Sequence, residues 1–308
     1  MRRFLLSLVL GSAAFSLACN LLTTAVEQAT PTSPPAVTAA PPEATAAPPT
    51  VTAPTPTSPP PAPEANETPS LLPGPAIAYD IVRFSVPAEI ASGVSARLAP
   101  ASDTGEDMPY WGIHPAYVEA GLVDYARADT FHQPRVEVYP ITEYEAVNPD
   151  VGRVIGRLQE LLTQKPAEPE DIPFLPTFNA AQVLRAQVKY LDFHNGSGVR
   201  FLTLYAQYFA PINNHDLFYT FQGVTGDGAH YVTVILPVSA PFLADTSDPA
   251  AVVPSDGVPF PDVNAADFET QYQDYLNAVT ARLNELPAAG FTPGLDALDA
   301  LAASIQID

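Results

Sequence analysis

Three histidines, His194, His215 and His230, fall close together in a chain that holds five in all. Imidazole nitrogens can ligate zinc, but each must approach the metal to about 2.1 Å. The surrounding residues argue against that. His194-Asn195-Gly196-Ser197-Gly198 reads as a turn, and so does Thr225-Gly226-Asp227-Gly228 just before His230. In an antiparallel meander these turns put His194 and His230 at one end, on the first and fourth strands. Three strand spacings then separate them by about 14 Å. His215 falls in the connection at the other end. The expectation is turn histidines and no metal site. His114 stands apart. His132 precedes Gln133-Pro134-Arg135, and Glu137 lies two residues beyond Arg135, a spacing that suits a surface ion pair along a strand.

Other reactive types fare no better. Ser197 sits in Gly-Ser-Gly and lacks the Gly-x-Ser-x-Gly elbow. No Gly-x-x-x-x-Gly-Lys phosphate loop occurs. The acidic loops Asp103–Asp107 and Asp245–Asp248 offer oxygens to calcium without the EF-hand pattern, and read as solvated loops. No cofactor is implied. A ligand face is the more specific possibility. Along Ala181–Phe193, Leu184, Ala186, Val188 and Tyr190 alternate with Arg185, Gln187 and Lys189. Period-two alternation puts those two bases and the amide on one sheet face, opposite Thr203 and Gln207 of the next strand. In an acidic domain such a face could hold a small ligand or a glycan. An envelope hydrolase is the further alternative. It needs a carboxylate pair, with one member buried in a cleft and its pKa raised.

The only cysteine, Cys19, has a different role. Met1-Arg2-Arg3 is a positive n-region, and Phe4 to Leu10 an apolar h-region. Gly11-Ser12-Ala13-Ala14 and Leu17-Ala18 follow, the order of a secretory signal. The apolar run is too short to span a bilayer, which takes about 20 residues. Leu17-Ala18-Cys19 resembles a bacterial lipobox, with Ser16 where Leu or Val is usual. The resemblance implies a cleaved signal peptide over residues 1–18 and a lipidated Cys19 as the new N-terminus. The chain is then anchored to the cell membrane on its extracytoplasmic side rather than spanning it.

Charge narrows the partners. There are 13 Lys and Arg against 34 Asp and Glu, a net −21. Setting aside Arg2, Arg3, Glu27, Glu43, Glu64 and Glu67 leaves 11 bases and 30 acids, a net −19 for residues 73–308. Nucleic-acid affinity comes largely from Lys and Arg replacing counterions, so that partner is excluded. Beyond the membrane reached through the anchor, the partner is an unknown envelope protein or a small ligand.

The elements that must position any site lie beyond residue 75. Residues 19–75 are the anchor and a Pro/Thr-rich tether, where proline removes backbone donors and favours a polyproline-II spacer. About 45 such residues reach up to roughly 140 Å. Residues 76–308 form a single domain. Four strands are expected, at Ala181–Phe193, Val199–Tyr208, Leu217–Val224 and Ala229–Val238, and short connections make them an antiparallel meander. The aromatic segment Leu217–Gln222 reads as core. Earlier strands fall near Ile81–Val86, Tyr117–Tyr125 and Arg135–Tyr139. Asn148-Pro149-Asp150 starts a helix with the apolar stripe Val151, Val154, Ile155, Leu158, Leu161 and Leu162. Further helices start near Asn264 and Thr292-Pro293, with a last strand in Ser304–Asp308. The expected class is α+β, an antiparallel sheet flanked by helices on both faces as an α/β/α sandwich. This order resembles the PsbP-like superfamily. The residues that carry the likeness are the early Phe84-Ser85-Val86-Pro87, the helix before the meander and the closing segment Leu298–Ile305. It implies a binding or assembly factor without catalysis.

Overall fold

The structure, a computed structural model, describes residues 70–73, 76–102 and 109–308, all within one unit spanning 60–308. The expected signal peptide, Cys19, the expected tether as far as residue 69 and the loop Asp103–Asp107 lie outside the described residues. The class is α+β. Six strands precede the helices: β1 (Ser70–Pro73), β2 (Ala76–Tyr79), β3 (Val82–Ser85), β4 (Gly93–Ala99), β5 (Tyr117–Val123) and β6 (Arg135–Pro140). Helices α1 (Ile141–Val147) and α2 (Asp150–Gln164) follow. Then come β7 (Ala181–Gln182), β8 (Ala186–Phe193), β9 (Gly196–Thr203), β10 (Tyr205–Ala206), β11 (Phe218–Thr225) and β12 (His230–Pro237). Helices α3 (Phe268–Glu285) and α4 (Leu295–Ala303) and strand β13 (Gln306–Ile307) close the chain. Among the described residues no helix is long and apolar enough to cross a membrane.

Eight strands form one antiparallel sheet in the order β1-β4-β5-β6-β12-β11-β9-β8. The expected meander is its second half. Three departures from expectation are physical. Ser70–Pro73, inside the span expected to be tether, pairs with β4 as an edge strand. Val82–Ser85 joins β2 and β13 in a separate three-stranded sheet. The β8–β9 turn is two residues, His194-Asn195, because Phe193 already pairs with Gly196. A Cβ at Gly196 would lie 2.2 Å from the Phe193 ring and 2.4 Å from the Val224 carbonyl, so only glycine lets β9 start there.

Every residue of the central strand β11 is buried. Alternate strand residues enter two different apolar clusters. Val199, Phe201, Phe218, Val224, Tyr231 and Ile235 pack with Tyr144, Val151, Ile155, Leu158 and Leu161 of α1 and α2. Leu202, Tyr219, Phe221, Val232, Val234 and Leu236 pack with Tyr272, Val279 and Leu283 of α3 and Leu295, Leu298 and Leu301 of α4. Each fully buried Leu or Val contributes about 1.5–3 kcal/mol. Helix α2 begins where the sequence indicates. Asn148 Oδ1 accepts from the Asp150 N–H at 3.3 Å, and left-handed Lys165 ends the helix before Pro166.

Candidate ligand-binding cleft

Two loops build one side of a cleft of about 640 Å³. One links β5 to β6 and carries Phe131 and His132. The other links β10 to β11 and carries His215 and Asp216. They are fastened by the Phe131 N–H donating to the His215 carbonyl and by Arg127 Nη2 donating to the Asn214 carbonyl, each at 2.9 Å. Buried Asn213 shapes the second loop. Its Oδ1 accepts the N–H groups of His215 and Asp216 at 3.0 Å, and its Nδ2 donates to Asp216 Oδ2 at 2.9 Å. Asparagine suits this turn because its side chain replaces backbone partners locally. His215 Nδ1 consequently lies 2.5 Å from Asp216 Oδ1. That contact fixes the ring and leaves Nε2 for a ligand.

The other side comes from the segment after α2. Its Leu175 is tied to the sheet: the N–H donates to Gln222 Oε1 at 3.0 Å, and the carbonyl accepts the Thr233 hydroxyl. Gln222 Oε1 also accepts from Tyr231 at 2.5 Å. This anchorage sets Phe174 and Phe178 against Tyr205, with ring centroids at 5.1 and 4.9 Å. His132 is enclosed by rings. It stacks on Phe178 at 5.2 Å and meets Phe218 and Phe131 edge-on at 4.4 and 4.9 Å. Burial, with the nearby Arg135 charge, pushes its pKa down to about 4, so the imidazole is neutral at pH 7. The cleft thus offers aromatic faces, one neutral imidazole, one carboxylate-oriented imidazole and the side chains of Asn179, Gln207 and Ser247. No hydrogen bond joins Ser247 to His215 among the described residues.

The predicted ligand face is not assembled. Residue Gln187 adopts φ 54°, and the β8–β9 register shifts between Ala186 and Lys189. This bulge cancels the period-two alternation. Arg185 turns toward Gln182, donating to its Oε1 at 3.1 Å. Gln187 Nε2 caps the end of α3, donating to the Leu283 and Leu286 carbonyls at 2.7 and 2.9 Å. Lys189 reaches Asp299 of α4 at 2.8 Å. Thr203 is buried and donates to the Leu184 carbonyl, while Gln207 donates to the Asn179 carbonyl. The Arg135–Glu137 pair forms at 2.7 Å but is not superficial, because Glu137 is buried and also accepts from Tyr139 at 3.1 Å. Sequence reasoning passed over His132 and His215 as a pair. The loops that carry them are far apart in the chain, and the sequence marks only a turn at Pro211–Asn214.

Among the described residues two carboxylates are buried, Glu137 and Asp299. Asp299 accepts from Arg200 Nε at 3.0 Å, Tyr219 at 3.2 Å and Lys189. Glu137 is held by Arg135 and Tyr139. No protein-family model, curated protein or solved structure matches this chain.

Proposed function

We propose that the chain is an extracytoplasmic lipoprotein, anchored through Cys19, whose folded part is a non-catalytic binding or accessory module. The observation that carries the binding role is the cleft of about 640 Å³ lined by aromatic rings with a few convergent polar groups. That is the usual make-up of a ligand site. The anchor is supported by the leader, the lipobox-like Leu17-Ala18-Cys19 and the Pro/Thr-rich stretch after it. The element order that resembles the PsbP-like superfamily supports an accessory role.

A hydrolase acting through a carboxylate pair has little support, because Glu137 and Asp299 are each neutralised by an arginine. One observation favours a different hydrolase: the His215–Asp216 pair shares its cleft with Ser247. Crosslinking on intact cells, purification of full-length protein in detergent and mass spectrometry of what is retained test the readings together. The binding module predicts a compound or protein that is retained by the native chain and lost from Phe131→Ala. Equal retention by both would remove the cleft from the reading. Ester turnover abolished by Ser247→Ala would replace it with the hydrolase. The same spectrum reports whether Cys19 is acylated.

A further inference from the structure

A second cleft, of about 700 Å³, adjoins the first. Both are lined by Asn179, Ala180, Ala206, Gln207 and Tyr208, the residues around the tip of the β7–β10 ribbon. In a folded part that carries −19 by its residues, no ionisable acid or base other than tyrosine lines the second cleft among the described residues. Its polar groups are the amides of Asn179, Gln182, Gln207 and Gln273. Its rings are Tyr208, Phe209 and Tyr272.

The exposure of the rings is as unusual as the lining. Phe131 is 67% exposed, Tyr208 61% and Phe209 50%. Phe209 is braced edge-on by Phe268 and Tyr272 at 5.3 and 5.0 Å, so its ring is held in place while half bare. Tyr208 makes no hydrogen bond and no ring contact among the described residues, so its exposure is not explained by packing. The tip itself is pinned by Gln207 donating to the Asn179 carbonyl and by Gln182 Nε2 donating to the Tyr205 hydroxyl at 3.0 Å.

We propose that the two clefts form one groove for an uncharged oligosaccharide of several residues, lying across the ribbon tip over Tyr208. This deepens, and rests on, the reading of the first cleft as a ligand site. Pyranose rings present C–H faces that lie on aromatic rings, and their equatorial hydroxyls both donate and accept. Side-chain amides also do both, with two donors and a carbonyl each. A charged polymer is selected against. Polyanions meet a domain of −19, and polycations find no carboxylate in the second cleft and in the first only Asp216, whose two oxygens are already bonded to Asn213 and His215. A peptide strand would need a free sheet edge, and β7 and β10 are two residues each.

Full-length protein in a detergent without a sugar headgroup is titrated calorimetrically with cellohexaose, maltohexaose, mannohexaose and hexa-N-acetylchitohexaose. Binding of at least one below about 1 mM is expected, with Tyr208→Ala weakening it about tenfold or more and Gln273→Ala several-fold. Both substituted residues are exposed, and near-ultraviolet circular dichroism reports whether each variant is folded. Binding of none of the four, or binding unchanged in Tyr208→Ala, overturns the proposal. The retained-ligand experiment separates the two failures. A peptide or lipid retained by native protein and lost from Phe131→Ala sinks the oligosaccharide but keeps the cleft. No oligosaccharide bound and nothing lost from Phe131→Ala sinks both.

Discussion

His132 shows how a side chain can be shaped by its neighbours without a single hydrogen bond to its ring among the described residues. Enclosed by Phe131, Phe178 and Phe218, it is favoured in the neutral form, with a folded pKa of about 4 against an ordinary 6.5. A depressed histidine pKa means that the unfolded chain takes up the proton first. The resulting stability is therefore fully present above pH 6.5 and is lost as pH falls towards 4. Denaturant titrations of native protein and His132→Phe between pH 7 and pH 4 should differ in slope. The native chain loses up to about 3 kcal/mol more over that window. Parallel pH profiles would mean that solvent reaches the ring. Asn213 is the complementary case, a residue that does its work entirely through hydrogen bonds. It is the reason that His215 and Asp216 can occupy a loop and still be held to a fixed geometry.

At the scale of elements, α4 is joined to the sheet by a buried charge. Arg200 of β9 and Asp299 of α4 are both almost fully buried and bonded to each other at 3.0 Å. Asp299→Ala would leave the guanidinium uncompensated and should cost about 3–5 kcal/mol in urea denaturation at pH 7. Lys189, whose side chain is 49% exposed, bonds the same carboxylate, yet Lys189→Ala should cost under about 1 kcal/mol. Similar losses for the two variants would show that burial does not set the difference. The meander strands and α2 were legible because periodicity and turn chemistry are local. Asn148-Pro149-Asp150 announces a helix start, and Asp227-Gly228 a hairpin. Strand β4, Gly93–Ala99, was missed because Gly, Ser and two Ala make a poor strand signal, and its place comes from pairing with β1 and β5. Helix α1 escaped notice because it is seven residues with two buried side chains. The bulge at Gln187 could not be read at all. Nothing local in that strand announces it, and what stabilises it is α3, where Asn284 Oδ1 accepts the Gln187 N–H at 2.6 Å. The predicted ligand face failed at that one residue. The cleft was hidden for a similar reason, since its walls come from four segments distant in sequence.

For the whole molecule, the tyrosines buried among the described residues, Tyr139, Tyr144, Tyr219, Tyr231, Tyr272 and Tyr275, set an alkaline limit. Burial raises Tyr139, Tyr219 and Tyr231 well above the ordinary value, with nearby Glu137 adding for Tyr139 and Asp299 for Tyr219. Burial also pushes Tyr275 up to about 12. A phenol whose folded pKa is raised stabilises the fold fully below its unfolded value near 10, and that stability is lost as pH climbs beyond it. Phenolate absorbance and far-ultraviolet circular dichroism should therefore change together above about pH 10 for these residues. Ionisation of all tyrosines before any loss of secondary structure would contradict their burial. Acidity acts in the opposite region, since a domain carrying −19 repels its copies and loses that protection as carboxylates protonate.

The kink at Gln187 has a consequence beyond the binding face it removes. Strand β8 is one margin of the eight-stranded sheet, and β1 is the other. An open margin is a template on which a second molecule can add its own strand, the first step of uncontrolled polymerisation. Both margins are spoiled as templates: β8 by a positive φ and a backbone N–H already given to Asn284, β1 by its four-residue length and terminal Pro73. Were copies held side by side on one membrane, as the proposed anchor would place them, they would meet at high effective concentration. For such a population, two blunted margins separate a crowded but soluble layer from an aggregate.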